Sequence, residues 1–100
     1  MVYNKLVRDK IPDIIENKGG KATFRILSEE EYPIFLEAKL EEEVGEYHRD
    51  KTVEELADIL EVVYALAVVH GVNKEQLALV YHRKHEQRGG FDRKILLMEA

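Results

Sequence analysis

The stretch that decides the fold runs from Lys39 to Val69, KLEEEVGEYHRDKTVEELADILEVVYALAVV. Leu40, Val44 and Tyr47 continue the spacing of Tyr32, Phe35 and Leu36, and apolar positions recurring three and four apart mark a helix that buries one face. Asp50-Lys51 reads as a turn. Thr52 followed by Glu55 has the form of a capping box, opening a helix that runs to His70 and stops at Gly71. Within it residues 62–69 are apolar on every side, and a helix that is hydrophobic all round is a buried one. Two long helices joined by so short a turn are expected to lie antiparallel.

Outward from this pair, Ser28 with Glu31 forms a capping box for the first long helix, which tolerates Pro33 in its first turns. Asn73 with Gln76 opens a further helix through Leu77, Val80 and Tyr81 to about Arg88, before Gly89-Gly90. Toward the N-terminus, Asp9 to Lys18 spaces Ile11, Ile14 and Ile15 as a short helix, and Lys21 to Leu27 alternates loosely as a short strand or extended connector. Phe91 reads as an apolar anchor, and Ile95, Leu96, Leu97 and Met98 are expected to fold back onto the body. The expected fold is all-α: a compact helical bundle, one domain over residues 1–100, with two long antiparallel central helices carrying an acidic motif. A chain of this size encloses few positions completely. The all-apolar segment therefore predicts packing against another subunit.

Composition narrows the chemistry. With 45% apolar and 35% charged residues, the chain is neither low-complexity nor disordered. It has no cysteine, which excludes a disulfide framework, a thiolate nucleophile and a sulfur-ligated zinc. Charges at Lys5, Arg8, Asp9 and Lys10 leave no signal-peptide apolar stretch at the start, and residues 62–69 are too few to span a bilayer. A cytoplasmic protein without a membrane partner is expected. The net charge of −5 argues against nucleic acid as a partner. Its distribution is uneven: residues 28–61 hold thirteen acids against three bases, while the rest of the chain holds seven acids and twelve bases.

Helical spacing puts Glu43 and Glu46, or Glu42 and Glu46, on one face of the first long helix, and Glu55 and Asp58 on one face of the second. If the helices are antiparallel about residues 50–52, both acid pairs lie near that turn. Like charges so placed repel unless a cation sits among them. A hard divalent ion with oxygen ligands, above all Mg2+, answers that requirement and also binds phosphates. Lys39 lies one turn before Glu43, and Lys84, Arg88, Arg93 and Lys94 crowd the C-terminal region. Acids for metal with bases for phosphate point to a phosphoanhydride substrate. The competing reading is a solvated glutamate face, in which Glu55 serves only to cap its own helix. Asp58 argues against it, because helix propensity gives no reason for an aspartate between Ala57 and Ile59.

Residues 39–46, KLEEEVGE, followed by residues 54–60, EELADIL, resemble the EExxE and ExxD signature of the all-α NTP pyrophosphatase, or MazG-like, superfamily. The opening YNKLVRDKIP of residues 3–12 and the closing RGGF of residues 88–91 look like those of a small single-domain branch near the phosphoribosyl-ATP pyrophosphohydrolases. The resemblance implies that Glu43, Glu46, Glu55 and Asp58 bind Mg2+, for which Mn2+ can substitute. It further implies that Glu42 assists the metal or the attacking water and that Lys39 contacts substrate. Members of this superfamily split a nucleoside triphosphate into a monophosphate and pyrophosphate, and assemble as homodimers or homotetramers.

The expected function is therefore Mg2+-dependent nucleotide pyrophosphohydrolysis serving nucleotide-pool house-cleaning. Lys84 and Arg88 join Lys39 as candidate phosphate ligands, with Lys5 and Arg8 behind them. The alternatives are hydrolysis of phosphoribosyl-ATP and a non-enzymatic helical module that binds a partner protein. His82 and His85 are read as C-terminal helix cations rather than metal ligands.

Overall fold

The structure, a computed structural model, describes residues 3–100 and contains four helices in the order α1 (Ile11–Asn17), α2 (Tyr32–Asp50), α3 (Val53–Val69) and α4 (Lys74–Arg88). No strand occurs among the described residues. Residues 21–27 are an extended connector without a pairing partner, which settles the choice that their loose alternation left open.

Local chemistry sets the helix ends. The Ser28 and Glu31 pair bonds reciprocally in the turn that leads into α2, the Glu31 backbone N–H donating to Ser28 Oγ at 3.1 Å and the Ser28 N–H donating to Glu31 Oε1 at 3.0 Å, while the N-cap of α2 itself is Glu31 and carries no side-chain capping bond. Arg25 grips the same carboxylate through two bonds of 3.0 and 2.7 Å, and these cationic donors pull the Glu31 carboxyl down to about 2. Lys51 closes α2 in the left-handed region at φ 53° and donates to the Tyr47 carbonyl at 2.8 Å. With only Lys51 and Thr52 between them, α2 and α3 fold back as the antiparallel pair that the turn predicts. Gly71, at φ 84°, ends α3 in a Schellman arrangement, its N–H bonding Val68 O and the Val72 N–H bonding Ala67 O. Asn73 and Gln76 make a complete capping box for α4.

The core lies in the α2–α3 hairpin. Among the described residues Leu36, Val62 and Ala67 are its buried apolar residues, and Glu43 is its buried charged one. The all-apolar segment 62–69 is enclosed only in part, since Val62 and Ala67 are buried while Val68 and Val69 are exposed. α4 leans lightly on α3, and α1 packs against no other helix. Ile14 and Ile15 consequently remain exposed despite their helical spacing. The expectation that the C-terminal tail folds back is corrected: Phe91 is 97% exposed and Ile95, Leu96, Leu97 and Met98 all face solvent. Apolar composition favours burial there, but among the described residues no surface covers them. The Cα radius of gyration is 17.4 Å, against about 13 Å for a compact domain of this length.

Candidate metal centre

The two-residue turn brings the last turns of α2 against the first turns of α3, so the acids of both helices meet at one end of the hairpin. Glu43, Glu46, Glu55 and Asp58 each offer a carboxylate oxygen, and those four atoms lie within 4.8 Å of one another. Helical spacing leaves Glu42 and Glu43 both open as partners of Glu46; the geometry takes Glu43, giving the four residues that the resemblance implies.

Glu43 is 6% exposed, which is unusual for a carboxylate. Its Oε1 accepts from Lys39 Nζ at 3.1 Å, while its Oε2 is buried without a partner. Burial pushes the Glu43 carboxyl above its ordinary value, with Glu46 adding to the rise and Lys39 opposing it. Glu55 Oε2 is likewise buried and unpartnered. Desolvation raises that carboxyl too, aided by repulsion from Glu46, Asp50 and Asp58. A buried polar atom left without a partner is costly. Two such atoms in one cluster of four carboxylates are a cavity chemistry that a cation completes.

Glu55 also separates its two roles. Its backbone N–H donates to Thr52 Oγ1 at 3.4 Å, so Thr52 caps α3, but the Thr52 N–H does not donate back to the Glu55 carboxylate. The side chain turns into the acidic cluster instead. The capping-only reading of Glu55 is therefore set aside.

An all-oxygen donor set suits a hard divalent cation. The cluster can hold a metal ion.

Bases border the acids from two directions. Lys39, one turn back on α2, reaches Glu42 at 3.2 Å as well as Glu43. Lys5, from the non-helical segment that precedes α1, approaches Glu42 to 2.6 Å. Together they hold the Glu42 carboxyl below its usual range, with the Lys5 hydrogen bond as the larger cause. Arg8 donates to Asp58 Oδ1 at 2.7 Å and reaches Glu61 at 3.4 Å. Lys5 and Arg8, which sequence ranks last among the bases, are the ones brought to the carboxylates along with Lys39.

Lys84 and Arg88 stand elsewhere. Both lie on exposed α4, which does not touch α2, and Lys84 borders a separate open cleft with Tyr81, His85, Phe91 and Asp92. His82 and His85 lie outside the carboxylate cluster, and both rings pack against Tyr81. No helix among the described residues is long and apolar enough to cross a membrane.

No family model matches the chain. A Mycolicibacterium smegmatis protein, described as an uncharacterized protein, is 50% identical over 42 residues, which are 42% of this chain and 43% of that relative. The matched part thus spans under half of that relative's length. No solved structure matches.

Proposed function

We propose that this chain is a Mg2+-dependent nucleotide pyrophosphohydrolase that cleaves a nucleoside triphosphate between its α- and β-phosphates. The observation that carries this reading is the convergence of four carboxylates from two helices around two buried, unpartnered oxygens. The resemblance of the same residues to the EExxE and ExxD signature supports it.

Glu43, Glu46, Glu55 and Asp58 would hold the ion. When bound, the ion neutralises charge on phosphate oxygens and acidifies water. Glu42, at the rim of the cluster, orients the attacking water, whose proton is released to solvent. The water oxygen bonds to phosphorus as the anhydride bond breaks, yielding the monophosphate and pyrophosphate. Lys39 holds a phosphate oxygen beside Glu43.

A substrate panel of ordinary and modified nucleoside triphosphates together with phosphoribosyl-ATP, read as released pyrophosphate with Mg2+ or Mn2+, tests the reading. Turnover of the triphosphates is expected. Preferential turnover of phosphoribosyl-ATP would reassign the role to histidine synthesis. No release from any compound would overturn the enzyme reading in favour of a binding module.

House-cleaning of the cytoplasmic nucleotide pool is the role and place we assign. We further propose a homodimer or homotetramer. Val53, Leu56, Leu60 and Val68 of α3 are exposed, and a second copy would cover such a surface. Light scattering of the purified chain decides this point.

A further inference from the structure

We infer that the segment before α1 completes the substrate site, with Lys5 and Lys39 forming a subsite for the departing pyrophosphate. This rests on the pyrophosphohydrolase reading. Asn4, Lys5 and Leu6 form one wall of a cleft of about 100 Å3 whose other wall is Phe35, Ala38, Lys39 and Glu42 of α2. That is room for several water volumes, and hence for a phosphate group. Asn4, left-handed at φ 46°, turns the chain along this wall; asparagine is among the residues that tolerate such a conformation best.

The cleft adjoins the metal centre through a continuous chain of contacts. Lys5 Nζ meets Glu42 at 2.6 Å, Glu42 meets Lys39 Nζ at 3.2 Å, and Lys39 meets the cluster member Glu43 at 3.1 Å. A polyphosphate anchored at the carboxylates through a cation would meet Lys39, which touches Glu43, as its nearest ammonium group, with Lys5 across Glu42 as the next. Each ammonium carries three N–H donors, and among the described residues Lys5 uses one, to Glu42. Its side chain is 40% exposed, so an exposed pair of this kind adds little to stability. What the pairing does achieve is to hold a compact positive charge over the cleft.

Charge balance supplies the reason to bind a metal-laden anion. Among the described residues, the ion-pair partners of Glu42, Glu43, Glu46, Glu55, Asp58 and Glu61 are Lys5, Arg8 and Lys39. A free anion meets net repulsion there. Once a divalent cation offsets the carboxylates, Lys5 and Lys39 are free to turn their remaining donors to phosphate oxygens. Metal and pyrophosphate should therefore bind synergistically.

The test compares the wild-type chain with Lys5→Ala, Lys5→Arg and, as a control, Lys10→Ala, whose side chain is exposed and borders neither cleft nor cluster. Binding of inorganic pyrophosphate in the presence of Mg2+ is measured by calorimetry, and the thermal shift caused by Mg2+ alone is measured beside it. Lys5→Ala is expected to weaken pyrophosphate about tenfold and to raise KM for a hydrolysed triphosphate by a similar factor. kcat should change far less, and the shift with Mg2+ alone should persist. Lys5→Arg keeps most of the affinity and Lys10→Ala keeps all of it.

Wild-type pyrophosphate affinity in Lys5→Ala, or an equal loss in Lys10→Ala, would overturn the subsite. If the wild-type chain hydrolyses no nucleotide, the enzyme reading fails on that ground. The pyrophosphate comparison then still decides the subsite by the same criterion, and absence of any pyrophosphate binding by the wild type overturns it.

Discussion

Arg8 and Asp58 are joined by a 2.7 Å ion pair that spans 50 positions of sequence. The pair fastens the non-helical N-terminal segment to α3 at the metal centre, and the same guanidinium reaches Glu61 at 3.4 Å. It engages Oδ1 of Asp58 and leaves the second oxygen for an ion. Groups that orient a metal ligand from outside its shell typically govern affinity by about 10- to 100-fold. Arg8→Ala should therefore raise the Mg2+ concentration needed for half-maximal activity about tenfold. Both partners are substantially exposed, so the melting temperature should hardly change. A magnesium titration of activity checks this; an unchanged or lower requirement would mark Arg8 as a competitor of the ion instead of a support.

Asp58→Asn separates chemistry from folding. The amide retains the shape but donates hydrogen where the cluster needs an acceptor, so turnover should fall below detection. Stability should hold or rise, because the substitution removes one of four mutually repelling carboxylates. What it loses is an exposed pair with Arg8, worth about 0–1 kcal/mol. Circular dichroism melts of the metal-free variant beside its activity form the measurement, and full activity in Asp58→Asn would remove the metal centre from the mechanism.

The hairpin and its acids were legible in sequence because each depends on local spacing. Helical period puts Glu55 with Asp58 and either Glu42 or Glu43 with Glu46, and the short turn folds the two helices back on each other; the choice of Glu43 came from the resemblance, not from spacing. Glu55 shows where local reading reaches its limit. Thr52 and Glu55 match a capping box, yet the carboxylate goes to the cluster, a choice made by neighbours on the other helix. Lys5 and Arg8 belong to a segment without periodicity, so no spacing connects them to Glu42 or Asp58. Lys84 and Arg88 stood out by charge density, but their position follows from how α4 leaves α3, which one sequence does not encode locally. The tail residues Ile95 to Met98 carry the converse lesson: apolar character signals a demand for burial and says nothing of which surface meets it.

Magnesium should stabilise the folded chain, since an ion bound only by the native state shifts the equilibrium by mass action. At a hundredfold excess over its dissociation constant the gain is about 2.7 kcal/mol, which for a domain of this size is a rise of roughly 10 to 20 °C. Glu43→Gln should abolish that shift while raising the metal-free melting temperature, because a neutral amide replaces a buried carboxylate with an unpartnered oxygen. Calorimetric melts of both proteins with chelator and with magnesium give the comparison. A full magnesium shift in Glu43→Gln would remove Glu43 from the ligand set.

The pH dependence of stability follows from carboxyls shifted in opposite senses. Glu43 and Glu55 are raised above the ordinary value of 4.5, chiefly by burial. Their stabilising contribution is complete below that value and is lost as pH rises through the raised native values. Glu31, lowered to about 2, and Glu42, lowered by Lys5 and Lys39, act the other way: their contribution is complete above 4.5 and is lost as pH falls. The metal-free chain should thus be most stable in mildly acidic solution, near the point where the two trends cross, and weaken toward neutrality. Magnesium binds the ionised carboxylates, so its stabilising effect should grow over the same rise in pH and carry the optimum to neutral pH. Melting temperatures followed from acid to neutral solution, with chelator and with magnesium, check both limbs. A metal-free stability that climbs steadily to neutrality would show that Glu43 and Glu55 ionise without penalty.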